Sequence, residues 1–333
     1  MKLKREKFFK RMSVLVSFLF ILILIEFALR ITGSNPRQFL NISKNEVVTN
    51  IQDKRLGWIP KEGVHKFKPW SDSGKNTNLT VNSDNSRYTG QVDDGKDKII
   101  FLGGSITQGW AVNDDENFPF IIQTKYPNYK VYNYGVGGYG GYQSLLKLEE
   151  IITKKENIKF VVYGFIKHHE ERNIATGKWM HILNYFSKRG HVQLPYASLG
   201  KNNQLLRNES IKYVKLPLSD YSSLMAKIEK KIMYLKSFFR EKKQSDVSLK
   251  IIEEMKLLSK KNGSEFILLS LESFQDERER KYKFFLDRSE IKNIKCSLPR
   301  GKKYIVEGDG HPNELSHSIL ANCISEKLNR LLN

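Results

Sequence analysis

The chain has 333 residues, of which 40% are apolar and 28% charged, and its 56 Lys and Arg against 36 Asp and Glu leave a net charge of +20. Such a length and apolar content suffice to bury a large core, which excludes an intrinsically disordered chain. The basic balance suggests nucleic acid, but the lysines are spread along amphipathic stretches and are not interleaved with stacking aromatics, so they read as solvated faces and no nucleic-acid partner is expected.

The first segment, MKLKREKFFKRM, carries six Lys or Arg and one Glu, and SVLVSFLFILILIEFALRITG follows it. Ser13 to Ile25 is uncharged. With Phe8, Phe9 and Phe27–Leu29 on its flanks, the run reaches the roughly 20 residues that a membrane span needs. Residues 1–12 therefore read as a basic cytoplasmic tail and 13–32 as a transmembrane anchor, with Glu26 and Arg30 near the far interface. A cleaved signal peptide is the rival reading, but no A-x-A-like site follows the run. Basic flanks stay cytoplasmic, so the remainder is expected to be exported. An exported chain can pair its two cysteines, Cys296 and Cys323. A free thiol on the last helix and another in a loop is the alternative.

Residues 33–97 are polar, with clusters of Gly, Pro, Asn and Asp, and read as a linker and irregular lead-in. From Lys98 strands and helices alternate. The expected strands are Ile99–Leu102, Lys130–Tyr134, Lys159–Tyr163, Glu265–Leu271 and Lys303–Val306; the first four are short apolar runs bounded by turn residues, as in buried parallel strands. Helix-period segments lie between them: ENFPFIIQTKY, GYQSLLKLEEIITKK, SDVSLKIIEEMKLLSKKNG and NELSHSILANCISEKLNRLLN. The third places Val247, Ile251, Met255 and Leu258 on one face and closes at Gly263. This rhythm predicts an α/β fold with helices covering both faces of a parallel sheet, and ligands at the carboxyl ends of its strands. Residues 174–245 break the rhythm and read as a helical insertion, either a cap over the site or a peripheral decoration.

The stretch KIIFLGGSITQGW, residues 98–110, ends the first strand in two glycines and a serine. A phosphate loop has the same glycine spacing, Gly104 to Gly109, but Trp110 stands where its lysine belongs. The α/β-hydrolase elbow G-x-S-x-G has a second glycine where this chain has Thr107. Gly135, Gly137 and Gly140 match a dinucleotide fingerprint, yet the next strand, KFVVYGF, ends without the acidic residue such a site requires. Near the C-terminus, Asp309 and His311 are two apart, a spacing that can set a carboxylate beside an imidazole, as a general base and its orienter require. HHEERN invites a metal reading, but its histidines have neither i, i+4 nor paired ligand spacing, so no metal or other cofactor is expected.

Taken together, FLGGSIT, VYNYGVGGYGGYQS, FVVYGFIKHHEERN and DGHPNELSHSILA resemble, in order and spacing, the four blocks of the SGNH (GDSL-type) hydrolases. LGWIPKEG and VNSDNSRYTG look like the lead-in of the branch with an N-terminal membrane anchor. The resemblance covers roughly residues 54–330. It implies a three-layer α/β/α, flavodoxin-like fold with a five-stranded parallel sheet over residues 98–333, preceded by one transmembrane helix. Residue by residue, it implies Ser105 as nucleophile, His311 as general base and Asp309 as its orienter, with Glu307 as a fallback. Oxyanion stabilisation would come from the N–H groups of Ser105 and Gly138. The family's Asp beside the serine is Gly104 here, the Asp–His pair has one residue between instead of two, and the third-block Asn is replaced by His168, with His169 following. A neutral imidazole can donate one hydrogen bond, so His168 is expected in the oxyanion hole. Arg172 and Asn173 are expected to brace the loop after the third strand. The implied activity is a membrane-anchored serine esterase that removes O-acyl groups from carbohydrate or small acyl esters. An O-acyltransferase acting on surface glycans and a non-catalytic glycan-binding protein are the alternatives.

Overall fold

The N-terminal run forms a single helix, α1 (Lys2–Ile31), long and apolar enough to cross a membrane and with its spanning window unburied by the rest of the chain. The structure, a computed structural model, describes residues 2–36, 49–69, 75–90, 96–186, 193–272 and 277–332. Parts of the expected linker (37–48, 70–74 and 91–95) and of the expected insertion (187–192) lie outside the described residues.

The lead-in is more ordered than its polar composition suggests. It forms two antiparallel hairpins, β1 (Asn50–Asp53) with β2 (Gly57–Pro60), and β3 (Gly63–Phe67) with β4 (Thr77–Val81). These strands have four or five residues and are partly exposed, too short for an alternating pattern to declare itself. Isolated bridges Val81–Arg87 and Arg87–Asn133 fasten the second hairpin to the main sheet.

The main sheet starts at β5 (Asp97–Gly103), which runs into the one-turn α2 (Ser105–Gln108) and then α3 (Phe118–Lys125). Asn117 caps α3 by accepting from the Phe120 N–H at 3.1 Å. Next come β6 (Tyr129–Gly135), α4 (Gly141–Lys154), β7 (Ile158–Phe165) and α5 (His168–Asn173). Residues 174–245 hold α6 (Gly177–Phe186), the hairpin β8 (Gln193–Leu199) and β9 (Leu205–Lys212), and α7 (Ser223–Glu241), so among the described residues this stretch sets a hairpin between two helices. The chain returns through α8 (Gln244–Lys261), β10 (Glu265–Ser270), α9 (Glu277–Ser289), β11 (Lys292–Lys295) and α10 (Glu314–Leu332).

The five strands pair in parallel in the order β6-β5-β7-β10-β11. This is the flavodoxin-like doubly wound order, and its topological switch point lies between β5 and β7. Side chains alternate across the strands, so β5 sends Ile99 and Phe101 to one face and Ile100 and Leu102 to the other. The first pair packs with Phe118 and Ile122 of α3 and Leu320, Ile324 and Leu328 of α10. The second packs with Leu145 and Leu148 of α4 and Ile251 and Met255 of α8. Two helical layers thus enclose the sheet, and each fully buried aliphatic side chain contributes about 1.5–3 kcal/mol.

The fifth strand is not where the sequence places it. Lys302–Tyr304 is a 3-10 turn, and the edge strand is KNIK, in which Ile294 alone is buried. Cys296, directly after β11, is disulfide-bonded to Cys323 on α10, 27 residues on. In the chain-entropy account, closing such a loop stabilises the fold by about 3–4 kcal/mol.

Candidate active site

Three loops at the carboxyl ends of β5, β6 and β7 meet at the switch point, and the loop before α10 folds over them. Ser105 opens α2 immediately after β5 and is 8% exposed. His311 reaches it without a strand. Val306 N–H donates to the His311 carbonyl at 2.8 Å, Ile305 bridges Pro312, and Gly308 and Gly310 at positive φ turn the chain between them.

In this arrangement His311 Nε2 lies 2.9 Å from Ser105 Oγ, and His311 Nδ1 lies 2.5 Å from Asp309 Oδ1. The same Asp309 oxygen accepts the His311 backbone N–H at 3.0 Å. The Asp309 side chain is fully buried while 29% of the imidazole is exposed. An unprotonated carboxylate can only accept, so Nδ1 carries the proton, Nε2 presents its lone pair, and the Ser105 hydroxyl donates to it. Sequence reasoning had placed Ser105, Asp309 and His311 together on order and spacing, and the structure brings these three into one hydrogen-bonded line. Glu307, the fallback orienter, is exposed.

Two backbone donors, one in the glycine loop and one in the serine turn, are left open. Among the described residues neither the Ser105 nor the Gly138 N–H has a hydrogen-bond partner. Gly138 has φ +83°, a conformation that disfavours a side chain, and a Cβ there would lie 3.0 Å from Trp58 Cζ2 and 3.4 Å from Trp179 Cζ2. Gln108 holds the loop in register by accepting the Gly137 N–H on Oε1 at 2.9 Å. Trp58 Nε1 donates to the Gly137 carbonyl at 3.0 Å. The loop is thus walled by one tryptophan from the lead-in and one from α6, neither of which the sequence reading named.

His168 does not behave as expected. It is exposed at the start of α5 and has no hydrogen bond among the described residues, whereas His169 is 1% exposed and points inward. One position along a helix rotates a side chain by about 100°, and the rotation that buries His169 turns His168 out. His169 Nδ1 and the Tyr163 hydroxyl are 2.7 Å apart, and His169 Nε2 is buried without a partner. Burial, with Arg172 and His168 nearby, pushes its pKa well below the usual histidine range, so the ring is neutral.

The same inward face explains the glycine in the serine block. A Cβ on Gly104 would stand 2.9 Å from His169 Nε2, 3.1 Å from Arg172 Nη1 and 3.3 Å from the Tyr139 carbonyl. The space beside Ser105 that an aspartate would need is taken by His169 and Arg172. Arg172 donates to the Tyr139 carbonyl at 2.9 Å, stacks over Trp179 at 4.5 Å and has no carboxylate ion-pair partner among the described residues. Burial lowers its pKa to about 10. Asn173 accepts the Tyr142 N–H at 2.9 Å and donates to Ser248 Oγ at 2.8 Å. Both residues thus brace the glycine loop and the first turn of α4, where the sequence reading had set them on the loop after the third strand.

The lead-in supplies one more support. Arg87, 2% exposed, donates to the carbonyls of Gln108, Gly109 and Val112 and pairs with Asp114 at 3.1 Å. The carbonyls that follow the serine turn are therefore satisfied by a residue outside the strand–helix repeat.

No family model matches the chain, and a search of curated proteins gives no match. Among solved structures, the chain is similar to a family two carbohydrate esterase from Clostridium thermocellum in complex with cellohexaose, at 10% identity and a TM-score of 0.41, over 74% of this chain and 67% of that one. It is similar to a member of the lipolytic G-D-S-L family from Veillonella parvula at 13% identity and a TM-score of 0.36, over 70% and 98% of the two chains. An acetyl xylan esterase from Butyrivibrio proteoclasticus gives 11% identity and a TM-score of 0.39, over 78% and 67%.

Proposed function

We propose that this chain is a serine esterase of the SGNH type, held at a membrane by α1 with its catalytic part exported. The observation that carries the activity is the line Ser105–His311–Asp309, with 2.9 Å and 2.5 Å between successive polar atoms. His311 Nε2 takes the Ser105 proton as Oγ attacks the ester carbonyl. The N–H groups of Ser105 and Gly138 receive the oxyanion of the tetrahedral intermediate. His311 then gives its proton to the leaving alcohol, and water, deprotonated by the same imidazole, releases the acid from the acyl-enzyme. Asp309 holds the tautomer and stabilises the imidazolium.

O-acyl groups on carbohydrate, or small acyl esters, are the substrates that the four sequence blocks imply. The Cys296–Cys323 disulfide supports export, since such bonds persist in oxidising compartments. An acyltransferase is the second reading, favoured by the near burial of Ser105 and by the two tryptophans that wall the glycine loop, which limit water at the acyl-enzyme.

The test is labelling by a fluorophosphonate, with p-nitrophenyl acetate turnover measured alongside. Wild type should label and turn over, and Ser105→Ala should do neither. A folded wild type that fails to label overturns the enzyme reading. Release of acid in water, against loss of that release to an added acceptor sugar, separates hydrolysis from transfer.

A further inference from the structure

Helix α7 has one face that the protein buries and an apolar stripe that stays largely exposed. Glu229, Met233 and Ser237, four apart, face inward and are buried. Ile228, Ile232, Leu235 and Phe239, at i, i+4, i+7 and i+11, share a face turned about 230° from Met233. On that second face Ile228 is 39% exposed, Leu235 56% and Phe239 79%, and only Ile232 is partly covered. Lysines flank it, and Lys227, Lys231 and Lys236 have no ion-pair partner among the described residues. An apolar stripe edged by lysines on a polar helix is the pattern of a segment lying in a membrane interface.

The start of α7 is tied to the end of α1. The Glu26 carboxylate accepts the Ser222 hydroxyl at 2.9 Å and the N–H groups of Ser223 and Leu224 at 2.8 and 2.9 Å. Arg30 pairs with Glu26 at 2.7 Å and donates to the Tyr221 carbonyl at 2.7 Å. Glu26 lies five residues, about 8 Å along the helix, before the end of α1 at Ile31. A span that leaves the bilayer there delivers the first turn of α7 at headgroup depth, where the exposed Leu218 and Tyr221 also sit.

We infer that α7 lies along the surface of an anionic phospholipid bilayer, with Ile228, Leu235 and Phe239 in the acyl boundary and the flanking lysines among phosphates. This rests on the reading of α1 as a retained anchor. Attachment at both α1 and α7 fixes the orientation of the catalytic part on the membrane, which a single span leaves free to rotate.

The experiment uses the full chain in vesicles. The two native cysteines are both in the disulfide, so Leu235→Cys, Phe239→Cys and Lys230→Cys each offer one free thiol for an environment-sensitive fluorophore. In phosphatidylglycerol-containing vesicles, labels at 235 and 239 should shift to the blue and be quenched about twofold or more by nitroxide lipids, and the label at 230 should not. Replacing Lys227, Lys231 and Lys236 by Glu should weaken that quenching in phosphatidylglycerol vesicles and leave it unchanged in pure phosphatidylcholine. Labels at 235 and 239 that stay water-exposed in both vesicle types overturn the inference. So does spontaneous disulfide dimerisation of Leu235→Cys without lipid quenching, which would assign the face to a second copy. Intact mass is read separately: a mature chain that has lost α1 overturns the anchored reading itself, whereas an intact chain with unquenched labels overturns only the placement of α7.

Discussion

Gly138→Ala isolates the oxyanion hole from the rest of the site. At φ +83° the new side chain enters the left-handed region, which costs roughly 1–2 kcal/mol for a residue with a Cβ. Its methyl group would stand 3.0 Å from Trp58 Cζ2, so either the ring, anchored by its 3.0 Å bond to Gly137, or the loop must move. A loop shift carries the Gly138 N–H off the oxyanion position, and loss of one such donor costs about 2.7–4 kcal/mol, or 10²–10³ in kcat. Gly263→Ala supplies the reference. Gly263 has φ +73° with no atom within 4 Å of the added Cβ, so it reports backbone strain without the site. Gly138→Ala should lose at least as much stability as Gly263→Ala in urea unfolding, the excess reporting the Trp58 contact. Only Gly138→Ala should lose kcat on p-nitrophenyl acetate, with KM little changed because the donor acts in the transition state. Wild-type kcat in a folded Gly138→Ala would refute the assignment of this N–H.

Other perturbations have equally definite outcomes. Asp309→Asn should lower kcat by about 10³–10⁴ with little change in melting temperature, because an amide does not enforce the Nδ1–H tautomer of His311; a loss below tenfold in steady-state kinetics would remove Asp309 from its role. His168→Ala should leave kcat within about threefold, as expected of an exposed side chain. His169→Ala should cost roughly 2–4 kcal/mol of stability by opening a cavity beside Gly104 and unpairing the Tyr163 hydroxyl, and should slow turnover with it; equal effects of the two in parallel kinetics and unfolding would contradict the inward placement of His169. Burial holds the His317 pKa down at about 3 against about 6.5 unfolded. Between those values the unfolded chain binds a proton that the folded chain does not, so this contribution to stability is complete above about 6.5. It falls by about 1.4 kcal/mol per pH unit as pH drops towards 3. His317→Asn should flatten the urea midpoint series across that window, and an unchanged slope would place the titration elsewhere.

The parts of this molecule that announce themselves in sequence are those whose physics is local. Strands β5, β6, β7 and β10 are buried on both faces, so they read as apolar runs; α8 and α10 read through their periodicity. Strand β11 escaped because an edge strand of four residues with one buried side chain has no pattern to detect. YIV at 304–306 has strong strand propensity, yet hydrogen bonds to His311 and Asn313 hold it in the turn that presents the imidazole. The grouping of Ser105, Asp309 and His311 was legible because the order of the motif blocks implies it. Which of His168 and His169 faces the serine was not, since a helix rotation of one residue decides it and only the partner Tyr163 fixes the rotation. Trp58 and Arg87 were invisible for another reason: buried polar work done by a polar segment looks the same in sequence as a linker.

Arg87 also sets where the catalytic unit begins. Its guanidinium is the hydrogen-bond donor for three carbonyls just beyond the nucleophile, and its neighbours Val81 and Asn133 stitch the hairpin to the sheet. A fragment trimmed to Lys98 would keep every strand of the main sheet and still leave those carbonyls dry and the glycine loop without Trp58. A fragment that keeps the proposed site whole therefore starts upstream of β1, and the stretch between α1 and the sheet is a structural part of that site, not a tether.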